Sequence, residues 1–305
     1  MQVLSQVHEK NHSAYNADCV EVCSNMPSES IGFTIFSPPF SSLYTYSNSE
    51  RDMGNSKNDE EFFRHFGFLV EHLYRITKPG RIVAFHCMNI PAMKERDGYI
   101  GIKDFRGDLI RCFQKYNFIF HSEHTIWKDP LVEATRTKAL GLMHKQLCKD
   151  STMCRSGLPD YLIAMRKPGE NLEPVAHENG LERFAGENPP ATGNLSHERW
   201  RRYASPVWMD IRQTYTLQAS PARESEDERH ICPLQLDVIE RALMLWSNER
   251  DVVLSPFMGI GSEGYVSIKE NRKFIGIELK ESYFNVAVNN LKLAEQEKGN
   301  ELLFD

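Results

Sequence analysis

Two short stretches near opposite ends of the 305-residue chain contain residue types that suit chemistry on a bound ligand. The first is Ser37-Pro38-Pro39-Phe40, which follows the apolar, β-rich run 31–36. Because proline cannot donate to a strand ladder, the strand must end where the prolines begin. The tetrapeptide is therefore expected at the carboxyl end of a strand, where open α/β sheets hold their sites.

The residue types of this tetrapeptide suit catalysis at the exocyclic amine of a nucleic-acid base. Such a nitrogen is a poor nucleophile because its lone pair is delocalised into the ring. The Ser37 hydroxyl and the carbonyl of Pro38, held rigid by Pro39, can accept its N–H groups and favour a tetrahedral nitrogen. Phe40 can stack on a base flipped out of a duplex. Catalysis is then mostly the alignment of the base amine with the group that it attacks. Taken alone, the motif also fits a proline-rich turn.

The second stretch is a glycine-rich turn, Pro256-Phe257-Met258-Gly259-Ile260-Gly261-Ser262, between a predicted strand over 251–254 and a predicted helix over 264–271. Glycines at such a turn let the backbone approach a ligand closely. The next predicted strand, 274–277, ends at Glu278, whose carboxylate is placed to accept hydrogen bonds from a ribose diol. The whole unit predicts a nucleotide-like cofactor in a Rossmann-type crevice.

The elements around these motifs predict an α/β fold. Apolar residues recur at helical spacing over 60–77, and Lys78-Pro79-Gly80 ends that helix before an apolar strand over 81–87. Helices alternating with apolar strands are typical of a twisted, mostly parallel sheet with helices on both faces. His86, inside the apolar strand, is interpreted as a core histidine rather than a catalyst. The other predicted elements are helices over 105–116, 234–246 and 283–296, strands over 118–127 and 161–165, a loop over 41–59 and an irregular segment over 167–203.

The bulk composition describes an ordinary globular protein with a net charge of −6. That charge counts against a surface coated in basic patches, but an enzyme that visits DNA needs only one local basic face. The apolar runs are too short to cross a bilayer, and residues 1–25 contain no signal peptide, so a cytoplasmic location is expected. The seven cysteines form no Cys-x-x-Cys pair, so we expect reduced thiols and no metal site.

Together, the two motifs resemble those of S-adenosylmethionine-dependent DNA amino-methyltransferases of the permuted kind, in which the catalytic motif precedes the cofactor motif. Ser37 to Phe40 matches the family's (Asp/Asn/Ser)-Pro-Pro-(Tyr/Phe/Trp) tetrapeptide, and Phe257 to Gly261 matches its Phe-x-Gly-x-Gly loop. Residues 16–19 resemble its Gly-Asp-Cys segment, with Ala17 in place of the glycine. Residues 230–235 resemble the segment that closes over the methionine moiety of the cofactor.

The resemblance implies a Rossmann-like, circularly permuted fold in which residues 1–127 and 228–305 form one catalytic domain. Residues 128–227 are then an inserted target-recognition region, partly irregular. S-adenosylmethionine is the implied cofactor and double-stranded DNA the implied partner, and a homodimer is left open. The implied catalytic residues are Ser37, Pro38, Pro39 and Phe40, and the implied cofactor-binding residues are Asp18, Cys232, Pro233, Pro256, Phe257, Gly259, Gly261, Ser262 and Glu278.

Basic residues of the inserted region are the candidate DNA contacts, because Lys and Arg neutralise phosphates and Arg reads guanine edges. These candidates are Arg136, Lys138, Lys145, Lys149 and Arg155. Arg201 is a further candidate within a basic and aromatic cluster over 199–203, which either grips DNA or packs its aromatic residues inward.

The predicted reaction is methylation of N4 of cytosine or N6 of adenine. Serine at the first tetrapeptide position is commoner in relatives that methylate cytosine. Cytosine is therefore slightly favoured as the target base, and adenine is nearly as well supported. The alternatives are a catalytically weak DNA-binding regulator with the same fold, and a methyltransferase of RNA or of a protein amide. A nicotinamide-dependent oxidoreductase is also open, because Gly264 completes a Gly-x-Gly-x-x-Gly pattern. The enzyme is expected to act as an orphan or within a restriction-modification pair.

Overall fold

The computed structural model describes residues 3–40, 53–56, 58–92, 94–177, 181, 194–218 and 233–304. The predicted loop over 41–59 therefore lies mostly outside the described residues, and the predicted cofactor contact Cys232 lies outside them as well. The two short motifs and the elements that flank them are described in full.

One sheet takes strands from both ends of the chain. Its strands are β1 (Val3–His8), β2 (His12–Ala17), β3 (Ile31–Phe36), β4 (Thr77–Met88), β7 (Ile119–Ile126), β8 (Asp160–Arg166), β9 (Val207–Trp208), β10 (Val252–Ser255) and β11 (Lys273–Glu278). Among the described residues their order is β1-β2-β11-β10-β3-β4-β8-β7-β9. The C-terminal strands β10 and β11 thus lie between the N-terminal strands β2 and β3. The short strands β5 (Ile90–Ala92) and β6 (Gly101–Lys103) form a separate antiparallel pair.

The strand directions bring many chain segments to one edge of the sheet. Strands β2, β11, β10, β3 and β4 run parallel to one another, and β7 runs parallel to β9. Strand β8 is antiparallel to both of its neighbours, so its first residue, Asp160, pairs with Met88 at the end of β4 and with Ile126 at the end of β7. The predicted mostly parallel sheet is confirmed, and its carboxyl edge collects the ends of β3, β4, β7, β10 and β11.

Helices cover both faces of the sheet, as predicted. They are α1 (Cys19–Asn25), α2 (Asp59–Ile76), α3 (Lys94–Asp97), α4 (Phe105–Lys115), α5 (Pro130–Thr137), α6 (His144–Leu147), α7 (Asn194–Tyr203), α8 (Leu236–Trp246), α9 (Ser262–Lys269) and α10 (Glu281–Phe304). One apolar core joins α8, α9 and α10 to the sheet, and a second joins α1, α2 and α4 to the opposite face. No described helix is both long and apolar enough to span a membrane.

Strand β3 lies between these two cores, and all six of its residues are buried. Phe33 and Ile35 pack into one core and Phe36 packs into the other, because successive side chains of a strand point to opposite faces. Ile31 also packs into the second core; it lies before an irregularity in the β3–β4 register that interrupts the alternation. Burial on both faces fixes the strand rigidly, so the residue that follows it starts from a well-defined position.

Three of the differences between the observed and the predicted elements concern the main sheet and helix α7. The N-terminal strands β1 and β2 are not indicated by periodicity, because the sequence of β2 is largely polar; its His12 is buried and its Nδ1 lies 2.9 Å from Glu295 Oε1 of α10. The segment 167–203, predicted to be irregular, ends in helix α7. Strands β8 and β9, which lie within the range 128–227 predicted as an insertion, are members of the main sheet.

Candidate active site

Residues from both short motifs line one pocket at the carboxyl edge of the sheet. The predicted site residues in its wall are Asp18, Ser37, Pro38, Pro39, Phe40, Pro233, Pro256, Phe257, Gly259, Ser262 and Glu278. Gly261 supports the turn without lining the pocket. Since β10 is the sheet neighbour of β3, the turns that follow these two strands must face each other. The parallel sheet therefore brings together two motifs that are far apart in the sequence.

The glycine-rich turn adopts a backbone that glycine favours at both of its glycines. Gly259 has φ 54° and Gly261 has φ 88°, a region that side chains with a Cβ rarely occupy. The N–H of Gly259 donates to Oε2 of Glu278 over 2.8 Å, and the N–H of Lys280 donates to Oε1 over 2.9 Å. Asn290 of α10 donates to the carbonyl of Ile260 over 2.8 Å. The turn is thus held by the end of β11 and by α10.

The end of β2 supports the same wall of the pocket. Asn16 is buried, and its Nδ2 donates to the carbonyls of Glu278 over 2.8 Å and Leu279 over 3.0 Å. Asp18 lines the pocket and caps α1, because its Oδ1 accepts from the N–H of Glu21. The sequence pattern identified Asp18 but missed Asn16, whose partners are backbone groups distant in the chain.

Two polar groups in this pocket have charge or hydrogen-bonding capacity to offer a ligand. The Ser262 hydroxyl is buried and has no hydrogen-bond partner within the described part of the chain. Glu263, which sequence analysis missed, is 4% exposed and lines the same wall. Burial, together with the nearby charge of Glu278, raises the pKa of Glu263 to about 8. An acid in the first turn of the helix after a glycine loop was the available signal for this residue.

The tetrapeptide Ser37-Pro38-Pro39-Phe40 forms another part of the pocket wall and is braced by aromatic rings. The ring of Phe40 lies 6.1 Å from that of Phe105 at the start of α4, centre to centre. Directly before the tetrapeptide, the buried Phe36 ring lies 5.7 Å from Phe257 of the glycine-rich turn. Contacts of this kind fix two turns relative to each other because their geometry is specific.

His86 is not the isolated core histidine that the sequence suggests. Its Nδ1 lies 3.3 Å from the Ser37 hydroxyl oxygen, and its Nε2 lies 3.2 Å from Oδ2 of Asp160. The side chain is 12% exposed. Sequence analysis missed these two contacts, because they depend on the register between β3 and β4 and on the pairing of β4 with β8.

The family of the chain follows from its match to a model of DNA methylases, the N6 and N4 methyltransferases, over residues 31–289. The chain belongs to this DNA methylase family. Among similar proteins, the orphan methyltransferase M.BamHII of Bacillus amyloliquefaciens is 24% identical over 270 residues, which are 86% of this chain and 89% of M.BamHII.

Two solved structures share the fold of this methylase. TTHA0409 of Thermus thermophilus, solved in complex with S-adenosyl-L-methionine, superposes with a TM-score of 0.64 at 20% identity over 93% of each chain. PvuII DNA methyltransferase, described as cytosine-N4-specific, superposes with a TM-score of 0.63 at 16% identity over 98% of this chain and 94% of its own. The predictions of a DNA methyltransferase and of its cofactor class are confirmed at the level of the family, which spans both amines and so does not choose the base.

The predicted DNA contacts of the methylase lie mainly in the connection from β7 to β8, residues 127–159. Arg136, Lys138, Lys145 and Lys149 are exposed there. Arg155 is half-buried, and its guanidinium lies 3.3 Å from Glu133 and donates to the carbonyl of Ser156, so it already has partners inside the segment. Because β7 ends and β8 starts at the carboxyl edge, this connection leaves the sheet at the same edge as the tetrapeptide Ser37-Pro38-Pro39-Phe40.

The second basic cluster belongs to α7 and precedes β9. Arg201 is exposed, whereas Arg202 binds Asp210 together with the buried Arg241. Tyr203 is buried and Trp200 is 57% exposed, so one aromatic ring packs inward and the other faces outward. The buried Tyr203 suits the inward packing role, and the exposed Arg201 and Trp200 suit contact with DNA. Arg201 stays a predicted DNA contact.

Six of the cysteines lie among the described residues and are free thiols. Within the described ranges, no cluster of His, Cys, Asp and Glu has the arrangement of a metal site.

Proposed function

We propose that this methylase transfers the methyl group of S-adenosylmethionine to the exocyclic amine of a base flipped out of duplex DNA. One observation supports this most directly: Ser37, Phe40, Gly259 and Glu278 line the same pocket. An amine held at one wall and a cofactor held at the other can meet without a large movement of either, which is what a displacement between aligned atoms requires.

The residues at the cofactor wall fit the parts of S-adenosylmethionine. Glu278 suits the ribose diol, and Ser262 at the start of α9 suits the methionine carboxylate, because its hydroxyl has no protein partner among the described residues. The carboxyl of Glu263 suits the cationic ammonium group. When bound, the cofactor supplies an electrophilic methyl group. Asp18, Pro233, Pro256 and Phe257 complete the wall, and Cys232 stays a predicted contact.

At the catalytic wall, the Ser37 hydroxyl and the Pro38 carbonyl accept the two N–H groups of the base amine. This pulls the nitrogen toward a tetrahedral shape, so that its lone pair is available to attack. Pro39 keeps the carbonyl of Pro38 in place, and Phe40, braced by Phe105, stacks on the flipped base.

For the base, we propose N4 of cytosine. The support is the serine at position 37, since a neutral hydroxyl at this place is commoner among relatives that methylate cytosine. Adenine N6 presents the same amine beside a ring nitrogen and is the other outcome that the experiment below distinguishes.

For DNA recognition, we propose the β7–β8 connection, residues 127–159, together with Arg201 of α7. This region is narrower than the range 128–227, because β8 and β9 are built into the sheet. Exposed Arg136, Lys138 and Lys145 provide positive charge next to the catalytic edge.

The test is to incubate the protein with duplex DNA and methyl-labelled S-adenosylmethionine, digest the DNA to nucleosides and separate them. Label in N4-methylcytosine supports the full proposal, and label in N6-methyladenine corrects the base alone. No label in DNA of varied sequence, by a protein that binds S-adenosylhomocysteine, favours the DNA-binding regulator. Calorimetry tests the oxidoreductase alternative: binding of S-adenosylhomocysteine but not of NAD rules it out.

A further inference from the structure

A line of polar side chains leads away from the catalytic serine into the protein. Ser37 Oγ lies 3.3 Å from His86 Nδ1, and His86 Nε2 lies 3.2 Å from Asp160 Oδ2. The other carboxylate oxygen, Oδ1, accepts from Lys128 Nζ over 2.5 Å. Asp160 is 3% exposed, and its carboxylate has these two cationic or proton-donating neighbours on its two oxygens.

The sheet places these four residues together through its register. Phe36 pairs with Phe85 across β3 and β4, so Ser37 and His86, one residue further along each, are neighbours. His86 pairs with Leu162 across β4 and β8, and Asp160 lies two residues from Leu162, so its side chain points to the same face as His86. Lys128 follows the end of β7, whose Ile126 pairs with Asp160.

One protonation state of the His86 imidazole fits both of its contacts. A neutral imidazole with the proton on Nε2 faces the Asp160 carboxylate and leaves Nδ1 free to accept the Ser37 hydroxyl proton. The Nε2–H does not point straight at Oδ2, so the contact is an electrostatic pair more than a linear hydrogen bond. Catalytic contacts of this kind often tighten when substrate binds.

The environment keeps the Asp160 carboxylate charged. Burial by itself would raise the pKa of Asp160, but the neighbouring His86 and Lys128 outweigh burial and hold that pKa below its ordinary value. A buried anion next to a neutral imidazole stabilises the imidazolium that forms when the ring takes up a proton.

We propose that His86 is a positioning residue that receives, through Ser37, the proton which the base amine loses on methylation, with Asp160 and Lys128 stabilising the protonated ring. This inference rests on the proposed function, because it concerns the amine that Ser37 contacts.

The proposed step balances in atoms and charge. The base nitrogen forms a bond to the methyl carbon as the carbon–sulfur bond breaks, and the sulfur keeps the electron pair of that bond. The nitrogen, now cationic, gives one N–H proton to Ser37 Oγ while the Ser37 hydroxyl proton moves to His86 Nδ1. The products are a neutral N-methyl amine, a neutral thioether and an imidazolium beside Asp160. The imidazolium later returns its proton to water.

A serine in the tetrapeptide gives such a residue a clear use. A hydroxyl accepts a hydrogen bond, but it cannot keep the proton of a cationic amine, because a protonated alcohol is a far stronger acid than that amine. An imidazole can keep it near neutral pH. The same logic activates serine through a histidine and a buried carboxylate in unrelated enzymes.

Other charged groups near His86 are paired among themselves. On β4, Cys87 follows His86 and points to the opposite face. Around Cys87 lie Arg106 of α4 and Glu123 of β7, which bond to each other over 2.8 Å, together with Asp104. Tyr161 of β8 lies under the Arg106 guanidinium, 4.9 Å away. Ser37 and Asp160 are therefore the polar groups whose side chains contact the two ring nitrogens of His86.

The test compares wild type with His86→Asn in single-turnover methylation from pH 5.5 to 9, where product release cannot hide the proton transfer. Asparagine can still hydrogen-bond to Ser37 but cannot take up a proton. We expect a wild-type rate that falls toward acidic pH as the ring becomes protonated. For His86→Asn we expect a rate lower by about 10²-fold and no acidic fall. Binding of S-adenosylhomocysteine and the thermal midpoint report whether the variant is folded.

His124→Asn is the matched control. His124 is also a buried histidine of the sheet, but its Nδ1 meets the carbonyl of Ser205 and its ring stacks on Trp208. It should keep the wild-type pH profile. Should His86→Asn fail to fold, Asp160→Asn is the second variant, with a lower rate and an acidic fall moved to lower pH, because the ring loses the anion that stabilises its protonated form.

The outcomes separate the two proposals. If wild type transfers label and His86→Asn keeps both the rate and the acidic fall, the role of His86 is wrong and the proposed function stands. If His86→Asn loses rate but keeps the acidic fall, His86 is structural and the proton role is wrong. If wild type transfers no label to DNA at any pH, the proposed function fails, and the proton role fails with it.

Discussion

The two walls of the pocket are built in different ways. The cofactor wall comes mostly from one continuous stretch, in which β10, the glycine-rich turn, α9 and β11 follow one another from Val252 to Glu278. The catalytic wall is the turn from Ser37 to Phe40 after β3. Behind Ser37 lie side chains that three other strands supply: His86 on β4, Asp160 on β8 and Lys128 after β7.

This difference decides what each wall depends on. The conformation of the cofactor wall is fixed locally, by glycines at positive φ and by a carboxylate that accepts the N–H of Gly259. The polar line behind Ser37 depends on the register of three strand pairs, and a slip of one residue would move His86 to the other face of the sheet. Substitutions in the cofactor wall should therefore lower the affinity for the cofactor, and substitutions in the catalytic wall should lower the rate of methylation.

The largest expected effect is at the catalytic wall. Ser37→Ala removes the hydroxyl that accepts the amine proton, so we expect methylation to fall by about 10²–10⁴-fold with S-adenosylhomocysteine binding unchanged. Single-turnover rates and calorimetry measure the two. Ser30→Ala is the control, since Ser30 precedes the same strand and its hydroxyl donates to the carbonyl of Pro27. Unimpaired methylation by Ser37→Ala would refute the assigned role.

At the cofactor wall, Gly261→Val should reverse that pattern. A side chain at φ 88° is strained, and its Cβ would lie 3.2 Å from Cβ of Ala287, a tight contact that α10 must relieve by a shift of its own. We expect S-adenosylhomocysteine to bind at least about 10²-fold more weakly, which corresponds to about 3 kcal/mol. Gly98→Val has a similar φ of 79° and open space around it, so it reproduces the strain away from the pocket. Equal losses of affinity in both variants would contradict a local role for Gly261.

A smaller effect concerns Glu263, whose pKa is raised to about 8 in the folded protein. Between its ordinary pKa and about 8 the folded state binds more protons than the unfolded chain, so the free energy of unfolding falls as pH rises through this window. Glu263→Gln cannot ionise. Without cofactor it should therefore be more stable than wild type at pH 8, by about 1–3 kcal/mol, and similar near pH 4.5.

Urea unfolding at both pH values measures this difference, and Glu170→Gln, in an exposed loop, is the control. The same Glu263→Gln variant should bind S-adenosylhomocysteine more weakly, because it has no charge for the ammonium group. A stability gain that is independent of pH would show that Glu263 is not a buried titrating group.

The smallest expected effect is at the exposed cations of the β7–β8 connection. Arg136→Ala should weaken DNA binding a few-fold and reduce the dependence of log affinity on log salt by about one, as expected for a single phosphate contact. Lys273→Ala is the control, because Lys273 starts β11 at the opposite edge of the sheet. Equal effects of the two substitutions would place the DNA elsewhere.

The sequence by itself determined the α/β class, most central strands and the two motifs. It did so because the signals are local: proline ends β3 after Phe36, glycines shape the turn at 259 and 261, and Glu278 ends the next strand. Apolar periodicity likewise indicated α2, α4, α8 and α10, since each buries one face.

The tertiary structure alone decided what lies beside each motif. Neither β2 nor β9 shows an alternation of apolar and polar residues. In β2 the buried positions include polar residues, such as His12, which is paired with Glu295 of α10. Strand β9 is only two residues long. His86 looked like a core residue because strand pairing, which brings it to Ser37 and Asp160, joins residues far apart in the chain. Hydrogen-bond register between strands is a long-range property, so the sequence names the serine and only the fold supplies its neighbours.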